Sequence, residues 1–284
     1  MPQIIDGKRI STEIKEELKQ EVAALKEKGI TGALAVIQVG DDPASSVYVN
    51  NKKKACEYIG IESLEYKLPE ETTERELLDL IVRLNEDEKV NGILVQLPVP
   101  KHIDEKKIIE TISPLKDVDG FHPKNVGNLV TGGAGFISCT PAGIIQLLKR
   151  SGIEMEGKHC VVIGRSNIVG KPMSMLLLHE SATVTICHSR TKNLKQICSG
   201  ADLIVSAVGK AGLVTADMVK DGAIVIDVGM NRDQDGKLCG DVCFDEVAPK
   251  ASFITPVPGG VGPMTIAMLM KNTLTATCLQ NGIC

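Results

Sequence analysis

Apolar residues recur along the chain with the two spacings that distinguish helices from strands. Between Ser11 and Lys28 they fall three or four residues apart, which predicts an amphipathic helix. The run from Ala33 to Val39 is apolar and of strand length, and a second such run from Gly92 to Leu97 closes at prolines. Because strands of this kind alternate with helices, we expect parallel sheets with helices on their faces.

Capping signals mark where further helices begin. Asp42-Pro43 combines an N-cap with a first-turn proline and predicts a helix over 43–59. Thr73-x-x-Glu76 is a capping box ahead of another apolar stripe. A Gly-rich loop is predicted at 127–135, and Thr140-Pro141 then repeats the cap-and-proline signal.

The second half of the chain repeats the alternation and closes with a helix. A proline and glycine loop at 255–263 precedes that helix, which is predicted from Pro263 to about Cys278. Four strands are predicted, at 159–163, 183–187, 202–206 and 223–228. The pattern indicates an α/β protein of two domains, in which the last helix returns to the first domain.

The turn after the strand at 159–163 is the most informative segment. It reads Gly164-x-Ser166-x-x-x-Gly170. A strand that turns sharply into a helix places free backbone N–H groups at the positive end of the helix dipole, where phosphate binds. The spacing is not the common Gly-x-Gly-x-x-Gly, so an ordinary strand-to-helix turn is the alternative.

The end of the next strand indicates which dinucleotide would bind. Dinucleotide folds that use NAD usually carry an acidic residue there, for the ribose 2′-hydroxyl. This chain has Ser189 and Arg190 instead, and Arg165 adds a second guanidinium beside the glycine turn. Arginine binds phosphate oxygens in a bidentate way, so the pattern favours NADP over NAD. The alternative is that Arg190 is a solvated surface charge.

Composition argues against several functions. The 284 residues have a net charge of −4, no Trp and no long basic run, which disfavours a nucleic-acid partner. The nine cysteines form no Cys-x-x-Cys pair, and we expect buried thiols in a reducing cytoplasm and no metal site. The uncharged stretches 125–148 and 251–270 are too rich in small and polar residues to span a membrane. The start of the chain lacks the apolar core of a signal peptide.

One predicted helix of the first half carries candidate chemistry. Tyr48 and Lys52 are four residues apart and therefore share a face. A tyrosine can stack on a flat heterocycle, and a lysine beside it can act as an acid, a base or an electrostatic clamp. From the spacing alone, a half-buried tyrosine and a solvated lysine are the simpler interpretation.

Five motifs occur together along the chain, and two of them are rich in proline. In order they are Tyr48-x-x-x-Lys52, Gly92-Ile-Leu-Val-Gln-Leu-Pro98, Lys116-Asp-Val-Asp-Gly-Phe-His-Pro123, Gly164-x-Ser-x-x-x-Gly170 and Thr255-Pro-Val-Pro-Gly-Gly-Val-Gly-Pro-Met-Thr265. With these motifs the chain resembles the bifunctional methylenetetrahydrofolate dehydrogenase/methenyltetrahydrofolate cyclohydrolase family over essentially its whole length.

The resemblance implies a fold and a reaction. Residues 1–138, completed by the C-terminal helix 263–284, would form an α/β folate-binding catalytic domain. Residues 139–262 would form a Rossmann-like parallel-sheet NADP-binding domain, with the active-site cleft between the two. The family oxidises 5,10-methylenetetrahydrofolate with NADP and hydrolyses the product to 10-formyltetrahydrofolate, in one-carbon metabolism and purine biosynthesis. A cytoplasmic homodimer acting on tetrahydrofolate derivatives is also implied.

The resemblance also implies residue roles. Lys52 would be the catalytic lysine, held by Gln96, with Tyr48 stacked on the folate and Asp119 bound to the pterin edge. Residues that would line the folate site in addition are Pro258 and Gly259. Residues that would contact NADP are Gly164, Arg165, Ser166, Ile168, Ser189 and Met230. Arg190 is added to this set from its position at the end of the second strand, not from the resemblance. Outside this context, a turn explains Asp119 and a strand-end amide explains Gln96.

Three alternatives stay open. The first is a monofunctional dehydrogenase without the hydrolytic step, and the second is a shikimate- or amino-acid-type dehydrogenase with a similar two-domain plan. The third is a non-catalytic nucleotide-binding regulator. The presence of Lys52, Gln96 and Asp119 argues against the first, and the loop Thr255–Thr265 argues against the second. A regulator would not need to keep Tyr48, Lys52 and Asp119 together, which argues against the third.

Overall fold

The structure is a computed structural model that describes residues 2–283. Its α-helices are α1 (Gly7–Glu27), α2 (Pro43–Ile59), α3 (Glu74–Glu86), α4 (Glu105–Thr111), α5 (Pro123–Thr131), α6 (Cys139–Arg150), α7 (Gly170–His179), α8 (Leu194–Cys198), α9 (Phe244–Val247) and α10 (Val261–Gln280). Its strands are β1 (Gln3–Ile4), β2 (Ala33–Val39), β3 (Glu62–Leu68), β4 (Gly92–Val95), β5 (His159–Ile163), β6 (Thr183–Cys187), β7 (Leu203–Ser206), β8 (Ile224–Asp227), β9 (Asn231–Arg232), β10 (Leu238–Cys239) and β11 (Phe253–Ile254). Within residues 2–283, no helix combines the length and the apolar character that crossing a membrane requires.

The chain divides into two compact units, named here by their sheets. The small-sheet unit comprises Thr12–Cys139 and Ile266–Cys284, and the large-sheet unit comprises Met1–Ser11 and Thr140–Thr265. The sequence-based boundary placed the first residues with the small sheet. They belong instead with the large sheet, because β1 pairs in parallel with β11.

The small-sheet unit contains three parallel strands in the order β3-β2-β4. All seven residues of the central strand β2 are buried, as expected for a parallel strand covered on both faces. Helix α3 packs its apolar stripe, which includes Leu77, Ile81 and Leu84, into this core. The predicted capping box is present, because Thr73 and Glu76 accept hydrogen bonds from each other's backbone N–H groups.

The large-sheet unit contains six parallel strands in the order β1-β11-β8-β7-β5-β6. Strand β5 therefore lies between β6 and β7, and the chain changes direction across the sheet at this point. In open α/β sheets such a switch point, at the carboxyl ends of the strands, is where ligands bind. The ends of β5, β6, β7 and β8 are in register, so the segments that follow them share one edge.

Two local predictions are wrong. The stretch 127–135 is only partly a loop, because α5 continues to Thr131. This helix begins after His122, whose Nδ1 accepts a hydrogen bond from the N–H of Lys124 at 3.0 Å, and histidine is not a usual N-cap signal. Helix α6 begins at Cys139, so Thr140 lies inside the helix and is not its cap.

Candidate active site

Lys52 is held by a polar contact inside the small-sheet unit. Its side chain projects from α2, and the residue is only 9% exposed. Its Nζ donates a hydrogen bond to Oε1 of Gln96 at 2.8 Å. The Nε2 of Gln96 donates to the carbonyl oxygen of Leu97 at 2.7 Å, which fixes Oε1 toward the lysine. The interpretation of Lys52 as a solvated lysine is therefore wrong.

Local capping and sheet pairing bring these two residues together. Asp42 Oδ2 accepts a hydrogen bond from the N–H of Ser45 at 2.7 Å, which starts α2 directly after β2. Gln38, near the end of β2, donates to Ser46 Oγ at 3.0 Å and so ties the first turn of α2 to the sheet. Because β2 and β4 are parallel neighbours, Gln96 just beyond β4 lies beside the helix that follows β2.

Asp119 and Cys139 complete the surroundings of Lys52. Burial raises the pKa of Asp119, and the positive charge of Lys52 opposes this shift. Burial lowers the pKa of Lys52, and the negative charge of Asp119 opposes that shift in turn. Desolvation is the larger effect at both groups, so the lysine is brought closer to its neutral form.

The Cys139 thiol is a member of this cluster that sequence reasoning missed. It lies within hydrogen-bond reach of the Asp119 carboxylate and 3.4 Å from the carbonyl oxygen of Val118. Burial raises the pKa of this thiol well above its ordinary value, so it stays protonated and acts as a donor. Cys139 directly precedes Thr140-Pro141, and nothing in this local sequence indicates a contact with Asp119.

Asp117 organises the turn that carries Asp119. Its carboxylate accepts hydrogen bonds from the N–H of Phe121 at 3.2 Å, the N–H of His122 at 2.8 Å and Nδ2 of Asn125 at 2.8 Å. Burial raises the pKa of Asp117 to about 6, although these hydrogen bonds oppose the shift. Sequence reasoning singled out only the second aspartate of Asp-Val-Asp-Gly, because the motif does not show that the first lies under the turn.

The C-terminal helix α10 fixes the backbone on both sides of this cluster. Nδ2 of Asn272 donates to the carbonyl oxygen of Val118 at 2.8 Å and to that of Ile137 at 2.9 Å. Val118 directly precedes Asp119, and Ile137 lies two residues before Cys139. Sequence reasoning did not single out Asn272, since its partners are far away along the chain.

The predicted folate-site residues are divided between the two units. Lys52, Gln96, Asp119 and Tyr48 all belong to the small-sheet unit. Tyr48 lies four residues before Lys52 on α2, partly exposed, and burial raises the pKa of its hydroxyl. Pro258–Gly259 belongs to the large-sheet unit, in the loop that precedes α10. The Val257–Pro258 and Leu97–Pro98 peptide bonds are both cis.

The glycine turn of the large-sheet unit is built on close approaches that a side chain would prevent. Gly164 has a φ of +133°, and a Cβ there would collide with the carbonyl oxygen of Ala207. A Cβ at Gly170 would collide with the carbonyl oxygen of Gly164. The turn therefore packs against the segment that follows β7, at the switch point of the sheet, which is where dinucleotide-binding folds hold a pyrophosphate.

Ser166 caps this turn. Its Oγ accepts hydrogen bonds from the N–H groups of Val169 at 3.2 Å and Gly170 at 3.3 Å. The sequence predicts that the N–H groups at the start of α7 are free. This prediction is wrong for Val169 and Gly170, because their N–H groups donate to the hydroxyl of Ser166. The same hydroxyl can still donate its proton to a phosphate oxygen.

The residues expected to bind a 2′-phosphate follow two adjacent strands. Arg165 lies two residues beyond the end of β5, and Ser189 and Arg190 follow β6. Ile163 and Cys187, the last residues of these strands, are paired in register, so all three exposed side chains begin at one edge.

Exposed apolar side chains also lie at this edge. Ile168 and Met230, both predicted to contact the cofactor, follow β5 and β8 and are 40% and 51% exposed. Val208, which sequence reasoning missed, follows β7 and is 39% exposed. Large apolar side chains exposed beside polar groups are typical of ligand sites.

Comparison with known proteins connects both units to one family. The family model described as "Tetrahydrofolate dehydrogenase/cyclohydrolase, catalytic domain" matches residues 5–119. The model described as "Tetrahydrofolate dehydrogenase/cyclohydrolase, NAD(P)-binding domain" matches residues 138–281. Bifunctional protein FolD of Agathobacter rectalis is 67% identical over 276 residues, which cover 97% of this chain and 99% of that protein.

Solved structures agree with this result. The bifunctional enzyme FolD from Campylobacter jejuni has a TM-score of 0.96 and 56% identity, covering 98% of this chain and 99% of that one. The Trypanosoma brucei methylenetetrahydrofolate dehydrogenase-cyclohydrolase, solved with NADP cofactor and inhibitor, has a TM-score of 0.93 and 42% identity, covering 98% of each chain. The predicted α/β fold of two domains and the predicted family resemblance are confirmed, and the shikimate-type alternative is excluded. The chain belongs to the tetrahydrofolate dehydrogenase/cyclohydrolase family.

Proposed function

We propose that this protein oxidises 5,10-methylenetetrahydrofolate to 5,10-methenyltetrahydrofolate with NADP and then hydrolyses the product to 10-formyltetrahydrofolate. One observation carries the proposal beyond family membership. A buried lysine, Lys52, is oriented by Gln96 and lies within electrostatic range of the buried carboxylate of Asp119. A lysine that burial pushes toward its neutral form is suited to proton transfer.

Asp119 and Tyr48 are proposed to orient the folate. The amino-pyrimidine edge of a pterin presents neighbouring N–H donors, and one carboxylate can accept two of them. The ring of Tyr48 shares a face of α2 with Lys52 and is partly exposed, so it can stack on a flat ring system. Both residues bind and position the substrate, and neither has to exchange a proton with it.

The large-sheet unit is proposed to hold NADP. The glycine turn from Gly164 to Gly170 lies where such folds hold a pyrophosphate, and Arg165, Ser189 and Arg190 would supply donors suited to a 2′-phosphate. When bound, NADP supplies the hydride acceptor. The contribution of the protein to the oxidation is to hold the two reactants in the correct geometry.

Lys52 is proposed to be the general base of the hydrolysis. Water must attack the amidinium-like carbon of the substrate and lose a proton, after which one carbon–nitrogen bond of the ring opens and the nitrogen takes up a proton. A cationic substrate beside Lys52 lowers the pKa of the amine further. The neutral amine can keep one N–H on Oε1 of Gln96 while its lone pair accepts the proton of the water.

The two activities can be tested separately on purified protein. The absorbance of methenyltetrahydrofolate is followed during oxidation of 5,10-methylenetetrahydrofolate, first with NADP and then with NAD. The decay of added methenyltetrahydrofolate is followed with and without protein. Oxidation with NADP together with accelerated decay supports the proposal. Oxidation without accelerated decay would favour the monofunctional alternative, and the absence of both would favour the nucleotide-binding regulator.

A cytoplasmic homodimer is proposed as the working form. Cys160, Cys187 and Cys198 are buried as thiols and not as disulfides, which fits a reducing compartment. Strand β3 is an edge of its sheet, and a sheet edge can pair with a second copy. Sedimentation should then give twice the mass of the 30.4 kDa chain. The mass of one chain, measured at micromolar protein concentration, would contradict the dimer.

A further inference from the structure

A fully buried carboxylate lies under the edge of the large sheet where NADP is expected to bind. Asp241 is 0% exposed. Its oxygens accept hydrogen bonds from the backbone N–H groups of residues 208–210 at 2.8 to 3.3 Å. They also accept from Ser206 Oγ at 3.0 Å and from Nδ2 of Asn231 at 3.0 Å. This one side chain therefore joins the segments that follow β7 and β8.

Asp241 is itself held by Asp227, the last residue of β8. The carboxylate of Asp227 accepts hydrogen bonds from the N–H groups of Asp241 and Val242, both at 2.9 Å. Two glycines make room for the pair, because a Cβ at Gly229 would collide with Asp241 and a Cβ at Gly240 would collide with Asp227. The two aspartates thus form a closely packed connection with little freedom to shift.

The segments that Asp241 joins carry the exposed apolar side chains of this edge. Val208 lies in the first segment and Met230 in the second. The strand order β8-β7-β5-β6 places both on the opposite side of the glycine turn from Arg190. A dinucleotide with its pyrophosphate on that turn and its 2′-phosphate near Arg190 must extend its other half over the ends of β7 and β8.

We propose that Asp241 is a positioning residue for the nicotinamide half of NADP. Asp241 accepts hydrogen bonds from residues 208–210 and from Asn231, and in this way it fixes the positions of Val208 and Met230. A carboxylate is suited to this task because the groups that face it are donors, whereas an amide would turn its own NH₂ toward some of them. The inference rests on the proposed function, since it assumes that this edge binds NADP.

The substitution Asp241→Asn tests this role through two ligands. We expect the Kd for NADP, measured by titration calorimetry, to rise about tenfold or more, since donors that faced a charge lose it. The Kd for adenosine 2′,5′-bisphosphate should stay within about twofold, because that ligand lacks the nicotinamide half. The hydrolysis of methenyltetrahydrofolate, which uses Lys52 and no dinucleotide, should not change.

Asp233→Asn is the matched control. Asp233 lies between β9 and β10, exposed, and its Oδ1 also accepts backbone N–H groups, from Asp235 at 3.0 Å and Lys237 at 2.8 Å. The same change of side chain, a few residues before Asp241 but away from residues 208–210, should leave both affinities unchanged.

Ser206→Ala keeps the inference testable if Asp241→Asn does not fold. Ser206 is 0% exposed, so it cannot touch NADP itself, and its removal deletes one donor to Asp241. We expect the Kd for NADP to rise about threefold, with no change for the bisphosphate.

An unchanged Kd for NADP in either variant, or equal losses for both ligands, would overturn the inference. A wild-type protein that does not reduce NADP with 5,10-methylenetetrahydrofolate would contradict the proposed function instead. Normal oxidation by the wild type together with unaffected variants would contradict only the role of Asp241.

Discussion

Replacing Lys52 by methionine should separate the two proposed activities. Methionine keeps much of the aliphatic volume but removes the amine that donates to Oε1 of Gln96 at 2.8 Å. If the amine is the general base, hydrolysis of methenyltetrahydrofolate should fall about 10²- to 10⁴-fold, the usual contribution of such a group. The oxidation does not use Lys52 as a base. Its rate should therefore fall only about tenfold or less, which is the effect of one lost hydrogen bond.

The folded state should tolerate this substitution. Burial lowers the pKa of Lys52, which shows that the charged amine is destabilised there, and methionine removes this cost. The change leaves Oε1 of Gln96 without its donor, which costs about 1–3 kcal/mol. Because the two effects oppose each other, we expect the free energy of unfolding to change by about 1 kcal/mol or less.

The assay is the initial rate of hydrolysis as a function of pH. A general base must be deprotonated, so the wild-type rate should rise with pH and level off below the usual range of lysine, since burial lowers the pKa of Lys52. This rise should be absent in Lys52→Met. Lys53→Met is the matched control, because Lys53 is partly exposed and pairs with Glu65 at 2.7 Å. Hydrolysis at the wild-type rate in Lys52→Met, or an equal loss of hydrolysis in Lys53→Met, would refute the role of Lys52 as the general base.

Three further substitutions test other parts of the structure. Arg165→Ala should weaken the binding of NADP by roughly 1.5–3 kcal/mol and leave that of NAD almost unchanged, and equal losses in calorimetry would be incompatible with a 2′-phosphate site. Asp117→Asn should reduce the pH dependence of stability. Burial raises the pKa of Asp117 from 3.8 to about 6, so its contribution to folding is complete below the lower value and is lost as pH rises through the higher one. In urea denaturation, the unfolding free energy of the variant should fall across this range by about 3 kcal/mol less than that of the wild type, and a wild-type dependence would contradict the assignment. Thr73→Ala should lower the unfolding free energy by about 1 kcal/mol through loss of the capping box, and a change in either activity would show that the box does more than cap α3.

Local patterns in the sequence were sufficient for the main helices and strands. Helix α2 runs from Pro43 to Ile59 and β2 from Ala33 to Val39, as predicted, because capping and apolar runs act over a few residues. Strand β1 could not be predicted in this way. It has two residues, and it is a strand only because β11, from the other end of the chain, pairs with it.

The candidate site was predictable in its residue types but not in its geometry. The motifs pointed to Lys52, Gln96 and Asp119 through a family resemblance, and the spacing of the glycines pointed to the turn at Gly164. Asp241 was not found, because its donors come from segments about 10 to 35 residues away that meet only in the folded sheet. Nothing in its immediate sequence distinguishes it from a surface aspartate.

The amino-acid sequence was enough to place the main helices and strands, to mark the turn that needs glycine, and to show which chemical groups the chain has available. It presents Lys52, Lys53 and Lys54 as equivalent neighbours on one helix. Only the tertiary structure buries Lys52 against Gln96, 44 residues away, and leaves Lys53 at the surface with Glu65. The physical reason is that desolvation and long-range charge set the pKa of a side chain, and both depend on what the fold packs around it.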